Sequence, residues 1–133
     1  MISECGANQE RNSMKPKDLK QRTKEFALRI IRLVESLPRG KITDVIGKQL
    51  LRSGTSVGAN YRSACRAKST ADFISKMGTV EEEADESIYW MELLIESGLI
   101  SKDEVSELLD EADQIVAITV SSIKTARARK KRQ

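Results

Sequence analysis

The sequence predicts an all-α protein, an antiparallel up-down-up-down four-helix bundle. Apolar residues recur every three or four positions along four stretches of the chain, and no stretch alternates with the two-residue period of a strand. The connections between the stretches are about three to five residues long, which forces consecutive helices to lie antiparallel. A chain of 133 residues is also long enough to bury one core of its own.

The first predicted helix runs from about Asp18 to Leu37, where Pro38-Arg39-Gly40 ends it. The second begins with Thr43 as its N-cap and extends to about Ala67. Each has one apolar face at helical spacing. These faces consist of Phe26, Ile30, Leu33, Val34 and Leu37 in the first helix and of Ile46, Leu50, Gly54, Val57, Tyr61 and Cys65 in the second.

Two glycines lie inside the second predicted helix. Gly54 and Gly58 are one turn apart, and each costs the helix about 1 kcal/mol relative to alanine. We expect another helix to approach closely at this pair, because that contact would offset the cost. A kink in the helix is the alternative.

Capping-box patterns mark the starts of the third and fourth helices. Ser69-Thr70-Ala71-Asp72 opens the third helix, for which Gly98 is the predicted C′ residue, and Ser101-Lys102-Asp103-Glu104 opens the fourth. We expect the fourth helix to fray into residues 127–132. The apolar faces are Phe73, Met77, Val80, Ala84, Ile88, Met91 and Ile95 in the third helix and Val105, Leu108, Ala112, Ile115, Thr119 and Ile123 in the fourth.

The chain divides into a flexible N-terminal tail (1–17), the four-helix bundle (18–126) and a basic C-terminal tail (127–133). The N-terminal residues are polar and lack the apolar stretch of a signal peptide, and no apolar run is long enough to span a bilayer. Two distant cysteines, Cys5 and Cys65, form neither a metal motif nor a disulfide framework. These features predict a reduced cytoplasmic protein with no membrane contact.

Charge is segregated along the chain. Residues 15–68 carry a net charge of +10, residues 69–113 carry −12 and residues 114–133 carry +6, within a total of +3. Neighbouring helices must neutralise part of this charge internally. The basic excess that remains on the outside could attract a polyanion.

Three motifs resemble the signature of a bacterial family. They are RSGTSVGANYR at 52–62, DFI at 72–74 with KMG at 76–78, and EADESIYWMELL at 83–94. In order and spacing they are similar to the four-helix-bundle proteins, also known as 23S rRNA intervening-sequence proteins. The resemblance covers roughly residues 18–126, nearly the whole predicted bundle.

This resemblance implies a bundle that assembles into a ring-like homo-oligomer, typically a pentamer. It also implies kinship with the accessory variability determinant protein of diversity-generating retroelements, a basic pentamer that binds a reverse transcriptase and nucleic acid. Ser63 departs from the family pattern, since many relatives have Glu after the Tyr-Arg pair. Any role of that carboxylate is therefore not transferred to this chain.

The sequence contains no catalytic constellation. It has no histidine, which excludes His-based triads, proton shuttles and zinc sites. The acidic cluster Glu81–Glu86 is expected to be a solvated or salt-bridged face, and Gly54–Gly58 lacks the Lys-Ser/Thr ending of a P-loop. Cys65 falls on the apolar face of its helix. We therefore predict neither enzymatic activity nor a cofactor or metal.

Basic residues form the candidate nucleic-acid-binding surface. Arg and Lys on the outer side of the second helix could follow a phosphate backbone, with the basic tail as a second contact. The alternative is that these cations neutralise the acidic third helix or a neighbouring subunit. The candidates are Lys48, Arg52, Arg62 and Arg66 on the helix and Arg127, Arg129, Lys130, Lys131 and Arg132 in the tail.

Two aromatic residues, Tyr89 and Trp90, face away from the core of the third helix. We expect them to anchor a subunit interface more than to stack on nucleic-acid bases. Few other groups could read a base sequence, so any nucleic-acid binding should be through phosphates.

Two functions fit these observations. The first is a non-catalytic oligomeric accessory protein that binds RNA or DNA with little sequence specificity, acting with a reverse transcriptase or other protein partner. The second is a ring-shaped protein–protein interaction scaffold with no nucleic-acid role. Salt-sensitive binding of RNA or DNA would distinguish them.

Overall fold

Four α-helices make up the part of the chain that the computed structural model describes, residues 18–132. They are α1 (Leu19–Ser36), α2 (Lys41–Cys65), α3 (Thr70–Glu96) and α4 (Lys102–Arg132). None of the residues in this range belongs to a strand, so the predicted all-α fold with four helices is confirmed. The predicted N-terminal tail lies outside the described residues.

Side-chain oxygens cap three of the helices. Asp18 accepts a hydrogen bond from a backbone N–H in the first turn of α1 at 2.9 Å, and Ser69 Oγ accepts one from the N–H of Asp72 at 3.0 Å. At α4 the capping is reciprocal: Ser101 Oγ accepts from the N–H of Glu104 and Glu104 Oε1 accepts from the N–H of Ser101, both at 3.3 Å. These bonds satisfy backbone donors that have no partner inside the helix.

The predicted N-cap of α2 is wrong. The helix begins at Lys41, with Gly40 as its N-cap and the N–H of Asp44 donating to the Gly40 carbonyl at 2.9 Å. Thr43 therefore lies inside the first turn, where it is buried. At the end of α3, Gly98 has φ +80° directly after the C-cap Ser97, as its predicted C′ role requires.

The predicted apolar faces meet in one core. Every predicted core residue of α4 is buried, and so are the centres of the faces of α2 and α3. The residues at the ends and edges of the faces, such as Leu33, Ile46 and Ile95, are half-buried and pack against this core. The larger buried side chains include Phe26, Ile30, Leu50, Val57, Phe73, Met77, Val80, Met91, Leu94, Val105 and Ile115.

The helix α1 lies directly over the glycines of α2. A Cβ atom on Gly54 would stand 2.8 Å from two side-chain carbons of Ile30, and one on Gly58 would stand 3.3 Å from the backbone oxygen of Thr23. Because side-chain carbons are missing at both positions, α1 can approach the backbone of α2. The contacts run in reverse order along the two helices, with Gly54 opposite Ile30 and Gly58 opposite Thr23.

A buried hydrogen bond joins α2 to α3. Ser87 Oγ donates to Ser53 Oγ at 2.9 Å, and both side chains are fully buried. Within residues 18–132, no buried side-chain nitrogen or oxygen lacks a hydrogen-bond partner. The polar contact therefore fixes the register of α2 against α3 without leaving an unsatisfied group in the core.

The basic C-terminal segment belongs to α4, which continues to Arg132 instead of fraying from Arg127. Ala126 is its last buried residue. Lys and Arg have high helix propensity, and their charges complement the negative end of the helix dipole. Residues 127–132 are therefore a helical extension of the bundle, and we call them the α4 extension.

Two further findings concern the expected environment of the chain. Cys65 is disulfide-bonded, so the expectation that the cysteines form no disulfide is wrong. Among residues 18–132, none of the helices has the length and apolarity needed to cross a membrane.

Replacing Gly54 by alanine tests the close approach of α1 to α2. We expect Gly54→Ala to lower the free energy of unfolding by about 1–3 kcal/mol, because the added methyl must displace Ile30 from the packed core. Gly78→Ala is the matched control. Gly78 lies inside α3, and no side chain or other helix in residues 18–132 comes within 4 Å of an added Cβ, so alanine should stabilise the helix by up to about 1 kcal/mol.

Urea unfolding followed by circular dichroism measures both changes. A Gly54→Ala chain as stable as the wild type would show that the two helices are not held together at this glycine.

Candidate nucleic-acid interface

The four candidate cations of α2 lie along its outer surface. Lys48, Arg52, Arg62 and Arg66 are all exposed. At about 1.5 Å per residue, the row extends over about 27 Å of the helix axis and its C-terminal end. The surroundings of the four residues differ: Arg52 forms ion pairs within the described part of the chain, and the other three do not.

Arg52 joins α2 to α3. Its guanidinium donates to Glu83 Oε2 at 3.2 Å and also to Glu86. The hydrogen bonds to Glu86 and then to Glu83 raise the pKa of Arg52 above its ordinary value. Arg52 therefore neutralises carboxylates of the acidic third helix, as the alternative prediction has it, and its guanidinium is already bound within the chain.

Glu86 connects this ion pair to the two aromatic residues of α3. Trp90 Nε1 donates to Glu86 Oε2 at 3.0 Å, and this bond, followed by the one from Arg52, lowers the pKa of Glu86. The rings of Tyr89 and Trp90 meet edge to face, with centroids 5.0 Å apart. Trp90 is half-buried in the cluster, whereas 52% of Tyr89 is exposed, so the predicted outward orientation describes Tyr89 better than Trp90.

Ion pairs also join α1 to α4. Arg22 Nη2 donates to Glu111 Oε1 at 2.7 Å, and its Nε donates to the other carboxylate oxygen at 3.0 Å. This bidentate pair is partly shielded, with 19% of each side chain exposed. A second pair, between Arg29 and Glu107, is longer at 3.8 Å. The basic first half of the chain thus neutralises part of the acidic second half internally, as the charge pattern predicts.

Three cations of the α2 row have no such contact. Lys48, Arg62 and Arg66 form no hydrogen bond or ion pair through their side chains with any residue in the range 18–132. Two of them, Arg62 and Arg66, lie at the C-terminal end of the helix. Of the four candidates in the row, these three are therefore the cations that solvent or a ligand can reach.

Arg62 borders an open groove between α1 and α2. The groove has a volume of about 710 Å³ and lies above Gly58, where the two helices meet. Lys20 and Lys24 of α1 line it with Arg62, and the acidic side chains of Asp18 and Glu25 line it as well. The groove thus carries both signs of charge, and Lys20 and Lys24 add positive charge only beside Arg62.

The α4 extension supplies the second group of candidates. Arg127, Arg129, Lys130, Lys131 and Arg132 are exposed, and Lys124 one turn earlier is exposed too. No acidic residue occurs in the sequence after Asp113. The last part of α4 is therefore a helix that carries positive charge alone.

The features considered for catalysis have other roles in the described part of the chain. The segment Gly54–Gly58 is helical, and the hydroxyls of Thr55 and Ser56 donate to backbone carbonyls of their own helix at 2.7 and 2.6 Å. These hydroxyls do not form a phosphate cradle. Within residues 18–132, no group of three or more acidic or cysteine side chains is arranged to hold a metal ion.

Sequence reasoning missed two parts of this surface. Lys20 and Lys24 were not among the candidates, although their spacing of one helical turn places them on one face of α1. The contact of Trp90 with Glu86 was also missed, although an i,i+4 spacing on α3 allows it.

The four helices, their common core and their charged outer surface define an all-α bundle protein. The chain matches the 23S rRNA-intervening sequence protein family over residues 16–121, and it belongs to that family. This confirms the resemblance of the three sequence motifs. The α4 extension lies beyond the matched residues.

A solved structure supports this assignment. A protein of unknown function from the S23 ribosomal protein family of Bacteroides thetaiotaomicron is 41% identical to the chain, with a TM-score of 0.74. The similarity covers 79% of this chain and 97% of that protein. None of the curated proteins compared with the chain is significantly similar to it.

The lowered pKa of Glu86 predicts a pH dependence of stability. A carboxylate whose pKa is lowered by folding stabilises the fold fully above its ordinary pKa, and this stabilisation is lost as the pH falls through the folded-state pKa. We expect Glu86→Gln to lower the urea midpoint at about pH 7, and the difference from wild type to shrink below about pH 4.

The control is Glu82→Gln. Glu82 is an exposed carboxylate of the same helix, and its side chain has no hydrogen bond or ion pair with the other described residues. This change should lower the midpoint less than Glu86→Gln does. A Glu86→Gln effect that stays constant across the pH range would contradict the assigned role of the carboxylate.

Proposed function

We propose that the chain is a non-catalytic, oligomeric accessory protein that binds RNA or DNA through basic surfaces with little sequence specificity. One observation supports this most directly: exposed cations lie at the C-terminal ends of α2 and α4, and no acidic residue follows Asp113 in α4. A helix end that carries cations alone attracts a polyanion, which releases its counterions on binding.

The proposal takes the bundle as antiparallel up-down-up-down. The reverse order of contacts along α1 and α2 supports this arrangement, as do the short connections 37–40, 66–69 and 97–101. In such a bundle, the C-terminal ends of α2 and α4 lie at the same end. Arg62, Arg66, Lys124 and the α4 extension are then at this end, and we call these cations the basic end. The starts of α1 and α3 place Asp18 and Asp72 at the same end.

The chemistry of the basic end favours phosphate over bases. Its side chains are Arg and Lys, and the planar fork of Arg donates two hydrogen bonds to one phosphate. Phosphate contacts position a protein on nucleic acid but carry no sequence information directly. We therefore expect similar affinity for unrelated sequences of the same form.

Assembly into a ring is the second part of the proposal. Tyr89 on α3 is exposed, and so are Leu28 and Ile31 on α1 and Leu51 on α2. A head-to-tail ring needs two different contact surfaces on each copy, and these apolar side chains on different helices could supply them. The family resemblance implies five copies.

A scaffold without a nucleic-acid role is the second candidate, and the surface around Tyr89 favours it. Glu82, Asp85 and Glu92 lie on the same outer side of α3 as this exposed ring. An aromatic side chain among carboxylates suits a basic protein partner, such as a reverse transcriptase.

Salt titration of binding tests the proposed function. We expect the affinity for a generic RNA or duplex DNA to fall steeply with salt, with a slope that decreases by about 0.7 to 0.9 for each phosphate contact removed. Deleting residues 127–133 should weaken binding to all sequences alike and flatten the slope. The double change Arg62→Gln/Arg66→Gln should do the same.

The control is Arg52→Gln, because Arg52 is occupied by Glu83 and Glu86. It should lower thermal stability and leave the salt slope nearly unchanged. Light scattering on a sizing column, run with each variant, reports the assembly, and the mass of a single 14.9 kDa chain would contradict the ring. No binding of RNA or DNA at low salt would favour the scaffold.

A further inference from the structure

The cations of the α4 extension surround the helix instead of forming a stripe. At about 100° per residue, Arg127 and Lys131 lie on one side, and Arg129 and Arg132 lie on nearly the opposite side. Lys130 lies between them on a third side. All are exposed, and no buried residue follows Ala126, so this part of the helix has no apolar side that packs on the bundle.

Because the α4 extension carries cations on all sides, we expect a bound nucleic acid to place phosphates on more than one side of it. A helix that lies on a single strand, or on the outside of a duplex, uses the cations of one side only. A helix inside a groove has a phosphate backbone on either side. The major groove of B-form DNA is about 12 Å wide and admits a helix whose diameter with side chains is about 10–12 Å.

Stabilisation of the helix end does not account for the whole pattern. Lys and Arg in the last turn complement the helix dipole, and Arg129, Lys130, Lys131 and Arg132 are in that turn. The effect falls off beyond the last turn. Arg127 and Lys124 come before it, yet they are exposed cations as well.

The basic end also lacks the means to hold a single strand. Single-strand binding relies on aromatic side chains on which bases stack. Within residues 18–132, Phe26, Phe73 and Tyr61 are buried in the core, and Trp90 is held by Glu86. The exposed ring of Tyr89 lies on α3 among carboxylates, which repel phosphate.

We propose that the α4 extension enters the major groove of B-form duplex DNA and contacts phosphates on both sides of that groove. This inference rests on the proposed nucleic-acid binding and names its ligand. A-form RNA duplexes have a deep, narrow major groove and fit the helix less well. Arg62 and Arg66 at the end of α2 would then contact the backbone beside the groove.

Comparing the affinities for three matched nucleic acids tests whether duplex DNA is the preferred ligand. The full chain is titrated with a DNA duplex, one of its single strands and an RNA duplex of the same sequence, at several salt concentrations. We expect the DNA duplex to bind at least about tenfold more tightly than either other ligand at the same salt. Equal affinity for the single strand, or for the RNA duplex, would overturn the groove proposal and leave nucleic-acid binding intact. No binding to any ligand at low salt would overturn the proposed function itself.

Paired variants test the contacts on both sides. Arg127→Gln/Lys131→Gln removes the cations of one side and Lys130→Gln/Arg132→Gln removes cations of the other sides, and Gln keeps a similar helix propensity. Each pair should reduce the duplex salt slope by about 1.8, twice the value for one contact. Lys41→Gln/Lys102→Gln makes the same change in net charge at the starts of α2 and α4 and should leave the slope unchanged. A slope that changes with one pair alone would show a helix lying on a surface, and would overturn the proposal.

Discussion

The close approach of α1 to α2 across Gly54 and Gly58 is the contact on which the rest of the arrangement depends. With α1 packed on that side of α2, the helical repeat determines which residues of α2 face α3 and which face solvent. Ser53 meets Ser87 of α3 in the core, and Arg52 at the preceding position reaches the acidic flank of α3. The outward side that is left over carries cations with no partner in the described part of the chain.

The segregated charge of the sequence thus has two separate consequences. Arginines of α1 and α2 pair with carboxylates of α3 and α4, and these contacts join neighbouring helices. Other cations lie at the C-terminal ends of α2 and α4, and in the proposed antiparallel bundle they make up the basic end. The small total charge of +3 conceals this division, because it averages over both groups.

Local rules predict the helices well, because periodicity, caps and glycines act over a few residues. The capping residues Ser69 and Ser101 and the buried face of α4 follow from such rules. The partners of Arg52 do not, since they depend on the register of α2 against α3 and lie 31 and 34 residues away in the chain. The end of α4 was misplaced because the basic residues beyond the last core position, Ile123, were interpreted as a tail, whereas helix propensity continues the helix to Arg132.

Lysine footprinting tests the central claim, that the basic end is the surface that contacts nucleic acid. Acetylation rates of the lysine ε-amino groups are measured by mass spectrometry with and without a short DNA duplex. The account predicts slower acetylation of Lys124, Lys130 and Lys131, and no change at Lys41 and Lys102 at the starts of α2 and α4. Equal protection of all five lysines, or protection of Lys41 and Lys102 alone, would contradict it.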